Sequence, residues 1–154
     1  MAHYPEKLKA LLDTLALADE AERSEILIDY AGTFVPVPDS VAHKPYPVDR
    51  KVPYCESEAY VWAMEKQDGT LKFYFAVENP SGISAKALAV ILDRTLSGAP
   101  PQQVAAVPSD LVSRVFRQNI SMGKGMGLTS MVQIVRHLAE QRAQGESAIP
   151  HVRT

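Results

Sequence analysis

Ala59-Tyr60-Val61-Trp62-Ala63-Met64 and Leu71-Lys72-Phe73-Tyr74-Phe75-Ala76-Val77, with Asp68-Gly69 between them, decide the fold class. Both runs are rich in β-branched and aromatic residues, which fit a pleated surface, and Asp-Gly is a strong hairpin-turn signal. They predict two antiparallel strands. Downstream, Asn79-Pro80-Ser81-Gly82 breaks the strand pattern. Ser84 is then placed to cap a helix carrying Leu88, Ile91, Leu92, Thr95 and Leu96, which Gly98-Ala99-Pro100-Pro101 ends. Ile83 and Leu88 have the spacing of a hydrophobic staple. A short helical piece is expected between Pro101 and Val107, and another helix after Pro108-Ser109, with Leu111, Val112, Val115 and Phe116 on one side. Gly123-Lys124-Gly125-Met126-Gly127 reads as a turn before a final helix whose apolar face is Leu128, Met131, Val132, Val135, Leu138 and Ala139.

Upstream of the hairpin, the segment from Val35 to Tyr54 shows neither helical nor strand period and contains Pro36, Pro38, Pro45, Pro47 and Pro53. Proline fixes φ and removes a donor, so an extended surface segment is expected, of the length that belongs to functional loops. Further back, Leu8, Leu11, Leu12 and Leu15 form the stripe of an amphipathic helix from about Pro5 to Leu17. Asp19 and Glu22 have the form of a capping box opening a second helix, which groups Ile26, Leu27 and Tyr30 and stops near Gly32. The two helices read as a helical hairpin. Together the elements predict one α+β domain over residues 1–144, a small antiparallel sheet packed against helices, followed by a flexible tail, 145–154.

Composition narrows the function. The 154 residues carry 16 basic and 18 acidic side chains, a net charge of −2 at a sequence pI of about 6.1, so no global field holds nucleic acid. No apolar run approaches the roughly 20 residues of a membrane helix, and no export signal is visible, which leaves the cytoplasm as the expected compartment. The single cysteine, Cys55, excludes an intramolecular disulfide and a multi-cysteine metal site, and His3, His43, His137 and His151 lack ligand spacing. No metal and no cofactor are expected.

Chemistry therefore concentrates on Cys55, which sits between the proline-rich segment and the first strand in Val52-Pro53-Tyr54-Cys55-Glu56-Ser57-Glu58. A small buried cysteine is the commoner fate of such a residue. Glu56 and Glu58 would disfavour a thiolate, so a reactive Cys55 needs positive potential from elsewhere. The Gly123 to Gly127 stretch fits neither the P-loop nor the dinucleotide fingerprint, since Leu128 stands where the third glycine is required. It offers one cation, Lys124, and the free amides of a helix N-terminus, a combination that stabilises anions. A cysteine hydrolase pairing Cys55 with His43 lacks any acyl-transfer signature.

The segment Val52-Pro53-Tyr54-Cys55-Glu56-Ser57-Glu58-Ala59-Tyr60-Val61 resembles the V-x-G-C-x-S-x-V-W motif of the SufE family, and Gly123-Lys124-Gly125-Met126-Gly127-Leu128 is similar to that family's S-R-x-x-G-L turn. The resemblance runs from about Pro5 to Ala143. It implies the SufE/IscU-like fold and a sulfur acceptor working with a SufS-type, pyridoxal-phosphate cysteine desulfurase. Cys55 would receive a persulfide sulfur, stimulate the desulfurase, and pass the sulfur toward a downstream iron-sulfur scaffold complex. Such a protein is a transfer accessory rather than a stand-alone enzyme, and the sequence is compatible with a monomer or a homodimer. Tyr54 stands where the family usually has glycine, Tyr60 where it has tryptophan, and Lys124 where it has arginine; lysine keeps the charge but loses the planar fork.

Persulfide transfer needs one thiolate and no cofactor in the acceptor. It also needs reach, which a long loop ending in Cys55 would supply by swinging out on docking. Ser57 and Glu58 are expected to shape the Cys55 loop, with the Ser57 hydroxyl bonding local backbone. Lys124 is the candidate for partner contact or thiolate stabilisation. The alternative is a non-covalent binding module that activates a desulfurase or assists a scaffold, with Cys55 structural.

Overall fold

In a computed structural model of the chain, residues 3–117 and 120–145 are described. The order is α1 (Glu6–Leu17), α2 (Glu20–Gly32), a 3₁₀ turn (Val48–Arg50), β1 (Ala59–Glu65), β2 (Leu71–Val77), α3 (Ile83–Leu96), α4 (Pro101–Ala105), α5 (Leu111–Phe116) and α6 (Met122–Ala143). β1 and β2 pair antiparallel, with Ala59 opposite Val77 and Glu65 opposite Leu71. The fold is α+β, as expected. The tail expected from Gly145 to Thr154 lies outside the described residues apart from Gly145.

A two-stranded sheet needs cover to be stable in water, and this one is covered on both sides. Ala59, Val61, Ala63, Leu71, Phe73 and Phe75 face the main core. Its centre is α3, whose Ala85, Leu88, Ile91 and Leu92 are almost fully buried and which touches α1, α2, α6 and β2. The alternate residues Tyr60, Trp62 and Ala76 face away and build a second, smaller core with Val37.

That second core pins the proline-rich segment, which is otherwise the extended, mostly exposed stretch expected. Val37 N–H donates to Phe75 O (2.8 Å), Val52 N–H to Ala59 O (2.8 Å), and the Tyr46 ring meets Trp62 edge-on at 5.2 Å. The proline-rich segment is a strap across the outer face of the sheet, anchored on the second core at Val37 and Tyr46 and in the main core at Val52, with Arg50 also buried. It is tied down within three residues of Cys55, which leaves only Pro53 and Tyr54 between its last anchor and the cysteine.

The first two helices also differ from expectation. The capping box is present, with Asp19 Oδ1 accepting from Glu22 N–H (2.8 Å) and Glu22 Oε1 accepting from Asp19 N–H (3.1 Å). Yet α1 and α2 pack chiefly on α3 rather than on each other. Their link is Arg23, 3% exposed, whose Nη2 donates to Leu15 O and Ala18 O (both 3.0 Å). It satisfies carbonyls at the end of α1, a helix with no basic residue in its own last turn.

Two helix starts shift. α3 begins after Gly82, not at a Ser84 cap, and Ile83 is its exposed first residue, so no Ile83–Leu88 staple forms. The Gly123 to Gly127 stretch is not a turn but the opening of α6, capped by Ser121 Oγ accepting from Lys124 N–H (3.3 Å). Tertiary contact explains both departures, because glycine is required at Gly82 and Gly127 by what packs against them.

Candidate functional site

Cys55 opens a four-residue turn at the foot of the hairpin. Glu58 N–H donates to Cys55 O (3.2 Å), Glu78 N–H to Glu58 O (3.1 Å) and Asn79 N–H to Ser57 O (3.1 Å). The Asn79 side-chain amide donates to Glu56 O (3.3 Å). All four carbonyls from Cys55 to Glu58 are thus satisfied, three of them by the two residues that follow β2. Among the described residues the Ser57 hydroxyl forms no hydrogen bond, and the carbonyls of the turn are held by Asn79 and by backbone.

The turn is bracketed by strain. Tyr54 and Glu58 have φ of +60° and +54°, left-handed backbone that disfavours any residue with a Cβ by about 1–2 kcal/mol. Such conformations persist where surrounding contacts over-determine them, and here two glycines do so. A Cβ on Gly127 would lie 2.7 Å from both Cys55 Cα and Tyr54 O. One on Gly82 would lie 2.9 Å from Ser57 Cβ and 2.8 Å from Val77 Cγ1. The Cys55 turn is therefore gripped between the flank of α6 and the start of α3, at distances no other residue permits.

This grip decides the electrostatics. Cys55 meets α6 at Gly127, in its second turn. The first turn meets Glu56 instead, whose Oε1 lies 3.6 Å from where a Gly123 Cβ would stand. Glu56 thus lies beside the first turn of α6, whose free amides carry positive potential. Glu58 acts on the other face of the sheet, where burial first, then the Glu78 carboxylate, with Glu58 behind them, raise the Tyr60 pKa above its ordinary value.

Cys55 itself is half-buried against the main core. It lines a crevice of only about 10 Å³ with Ser57, Ser84, Lys124 and Leu128. The structure thus brings Cys55 and Lys124, 69 positions apart in sequence, into one crevice, with the Lys124 side chain exposed. His43 is not part of it; it is exposed, with Nδ1 3.3 Å from Lys44 O. The volume is at the lower limit for one water, so this crevice does not enclose a small substrate.

The surroundings suit a macromolecular visitor. Tyr54, Met122 and Met126 are 74%, 86% and 52% exposed and, with Ile120, rim an open groove next to the cysteine turn. Exposed apolar surface of this kind marks interaction sites, and methionine adapts to its partner. Sequence reasoning missed this rim, Asn79, and the two gripping glycines; Asn79-Pro80-Ser81-Gly82 and Gly127-Leu128 were the available signals.

A family model described as "SufE: Fe-S metabolism associated domain" matches residues 9–149. No curated protein matches the chain. The solution structure of a hypothetical protein from Thermus thermophilus is similar, with a TM-score of 0.75 and 24% identity over 93% of this chain and 99% of that one, a likeness of fold.

Proposed function

The chain belongs to the SufE family, whose domain is associated with iron-sulfur metabolism, and from that membership we propose that Cys55 is the acceptor of a sulfane sulfur delivered by a SufS-type cysteine desulfurase. The observation that carries the proposal is the gripped turn: a half-buried thiol held in place, beside a crevice too small to hold a substrate and bordered by an exposed apolar rim.

In the transfer, the Cys55 thiolate attacks the outer sulfur of a persulfide on the partner's cysteine. The S–S bond of that persulfide breaks and the partner's cysteine leaves as a thiolate. Cys55 now carries the persulfide, and no external oxidant or reductant is consumed. Lys124, in the same crevice, supplies a cation that favours the attacking thiolate and the product persulfide anion. Since the strap is anchored up to Val52, presentation of Cys55 falls to the short turn from Pro53 to Glu58, with Tyr54 and the methionines as docking surface. The loaded protein then hands its sulfur to an iron-sulfur scaffold complex in the cytoplasm. No helix among the described residues is long and apolar enough to cross a membrane.

Mass spectrometry after incubation with a SufS-type desulfurase and cysteine tests this. One added sulfur atom on the wild type, none on Cys55→Ser and most of the gain retained on Ser57→Ala is the expected result. A Cys55→Ser protein that still stimulates the desulfurase fully assigns the chain to non-covalent activation instead, and equal, complete loss in both variants assigns Ser57 a chemical role.

A further inference from the structure

The two glycines that grip the Cys55 turn stand on elements of unequal firmness. Gly82 donates its N–H to Asn79 O (2.9 Å), and Ala85, Ala87 and Leu88 are fully buried just behind it. Gly127 is instead preceded by six residues, Ser121 to Met126, none of them buried, and is itself the first buried position of α6. Gly123 and Gly125 lie in that exposed stretch without being demanded by packing. A Cβ on Gly123 would meet Glu56 Oε1 at 3.6 Å and one on Gly125 would meet Ile120 Cγ2 at 3.7 Å, both ordinary contacts, and neither glycine has a positive φ.

Glycine weakens a helix relative to alanine because it has more backbone freedom to lose. Segments with few buried contacts and exposed backbone bonds are the ones that open locally. The opening of α6 combines both. Unwinding it costs the core nothing, since the helix that remains from Leu128 onward keeps Leu128, Met131 and Val135 buried. Gly127 then falls at the N-cap of the shortened helix, a position glycine tolerates. Its N–H gives up the helical bond to Gly123 O, and Lys124 leaves the Cys55 crevice with the unwound segment.

We propose that residues 121–126 are the release segment of the cysteine turn: their unwinding lifts the grip at Gly127 and lets the half-buried thiol emerge, and Gly123 and Gly125 set how often this happens. The other boundaries of the turn are firmer. Upstream, Val52 N–H is bonded to Ala59 O (2.8 Å), and downstream the carbonyls of Ser57 and Glu58 are held by Asn79 and Glu78 N–H (both 3.1 Å). A partner then captures a state that the free protein already visits. The inference rests on Cys55 being presented to another protein, as proposed above, and locates where the fold yields to present it.

The test combines Gly123→Ala with Gly125→Ala in the full chain and measures amide exchange, Cys55 alkylation by iodoacetamide and sulfur loading by a desulfurase with cysteine. Protection of the Met126 and Gly127 amides should rise roughly tenfold, and alkylation and loading should slow by a similar factor. Gly32→Ala is the control: it adds a methyl to the end of α2 with nothing within 4 Å of it, and it should leave alkylation unchanged. Amide protection that does not rise overturns the proposal, as does raised protection with unchanged alkylation. Equal slowing in Gly32→Ala overturns it too, because the thiol would then emerge by unfolding of the whole domain. Slower exchange and alkylation in a protein whose wild type takes up no sulfur support the release segment and overturn the sulfur-transfer reading alone.

Discussion

The hairpin is closed at its two ends by turns of opposite design. At Lys66–Thr70, the left-handed position is filled by Gly69 (φ +86°), and the Asp68 carboxylate accepts from Thr70 N–H (3.0 Å) and Thr70 Oγ1 (2.6 Å). Those bonds, the Thr70 hydroxyl first, hold the Asp68 carboxyl below its ordinary pKa. At the other end, Tyr54 and Glu58 take left-handed backbone without being glycine, while the glycines sit elsewhere, at Gly82 and Gly127, pressed onto the turn. The first turn is specified by its own residues. The second is imposed on Cys55 by its neighbours, and strain held in place from outside is the pattern of a site whose geometry matters more than its stability.

Gly127→Ala attacks the imposed turn most directly. A glycine-to-alanine change inside a helix by itself gains up to about 1 kcal/mol, but here the new methyl would stand 2.7 Å from two backbone atoms of the cysteine turn. Overpacking against groups that cannot rotate away costs about 1–3 kcal/mol, so the expected net result is lower stability in urea and faster alkylation of Cys55. A stability gain would show that the turn yields freely. Next in size is a reciprocal pair: Gly69→Ala should lose about 1–2 kcal/mol at its positive φ, whereas Tyr54→Gly should gain about 0.5–1 kcal/mol, strain relief outweighing glycine's greater unfolded freedom. If Tyr54→Gly destabilises, Tyr54 is held by contacts rather than tolerated despite strain.

The smallest effect is confined to alkaline pH. Tyr60 is 8% exposed, and burial and then Glu78 raise its pKa in the folded state. The stability it contributes is complete below the unfolded tyrosine pKa, about 10, and is lost as pH rises through the folded value, because only the unfolded chain releases the proton readily. Urea midpoints measured across that range should fall more steeply for the wild type than for Tyr60→Phe. Equal slopes would mean that the second core opens before Tyr60 titrates.

What could be read from the sequence follows the same division between local and imposed structure. Asp19 with Glu22, Asp68-Gly69 and the leucine stripe of α1 are short-range signals, and each appears where expected. The strap is different: Val37, Tyr46 and Val52 anchor it singly, with prolines between, so no periodicity announces their burial. The opening of α6 was concealed by propensity, since three glycines in five residues argue against a helix, and only the approach of the Cys55 backbone accounts for Gly127 there. For the site, the lone cysteine was legible from composition. Its meeting with Lys124 was not, because it depends on how α6 crosses the foot of the hairpin.

Trp62, the one tryptophan in the sequence, sits on the outer face of the sheet, 2% exposed, with its ring 5.2 Å from Tyr46 and 6.1 Å from Tyr60. The other members of its hydrophobic cluster belong to the hairpin or to the proline-rich strap. Its fluorescence is consequently a built-in gauge of strap attachment, with emission shifting to longer wavelength when Tyr46 lifts away and water reaches the indole, even while the helical signal in circular dichroism stays unchanged.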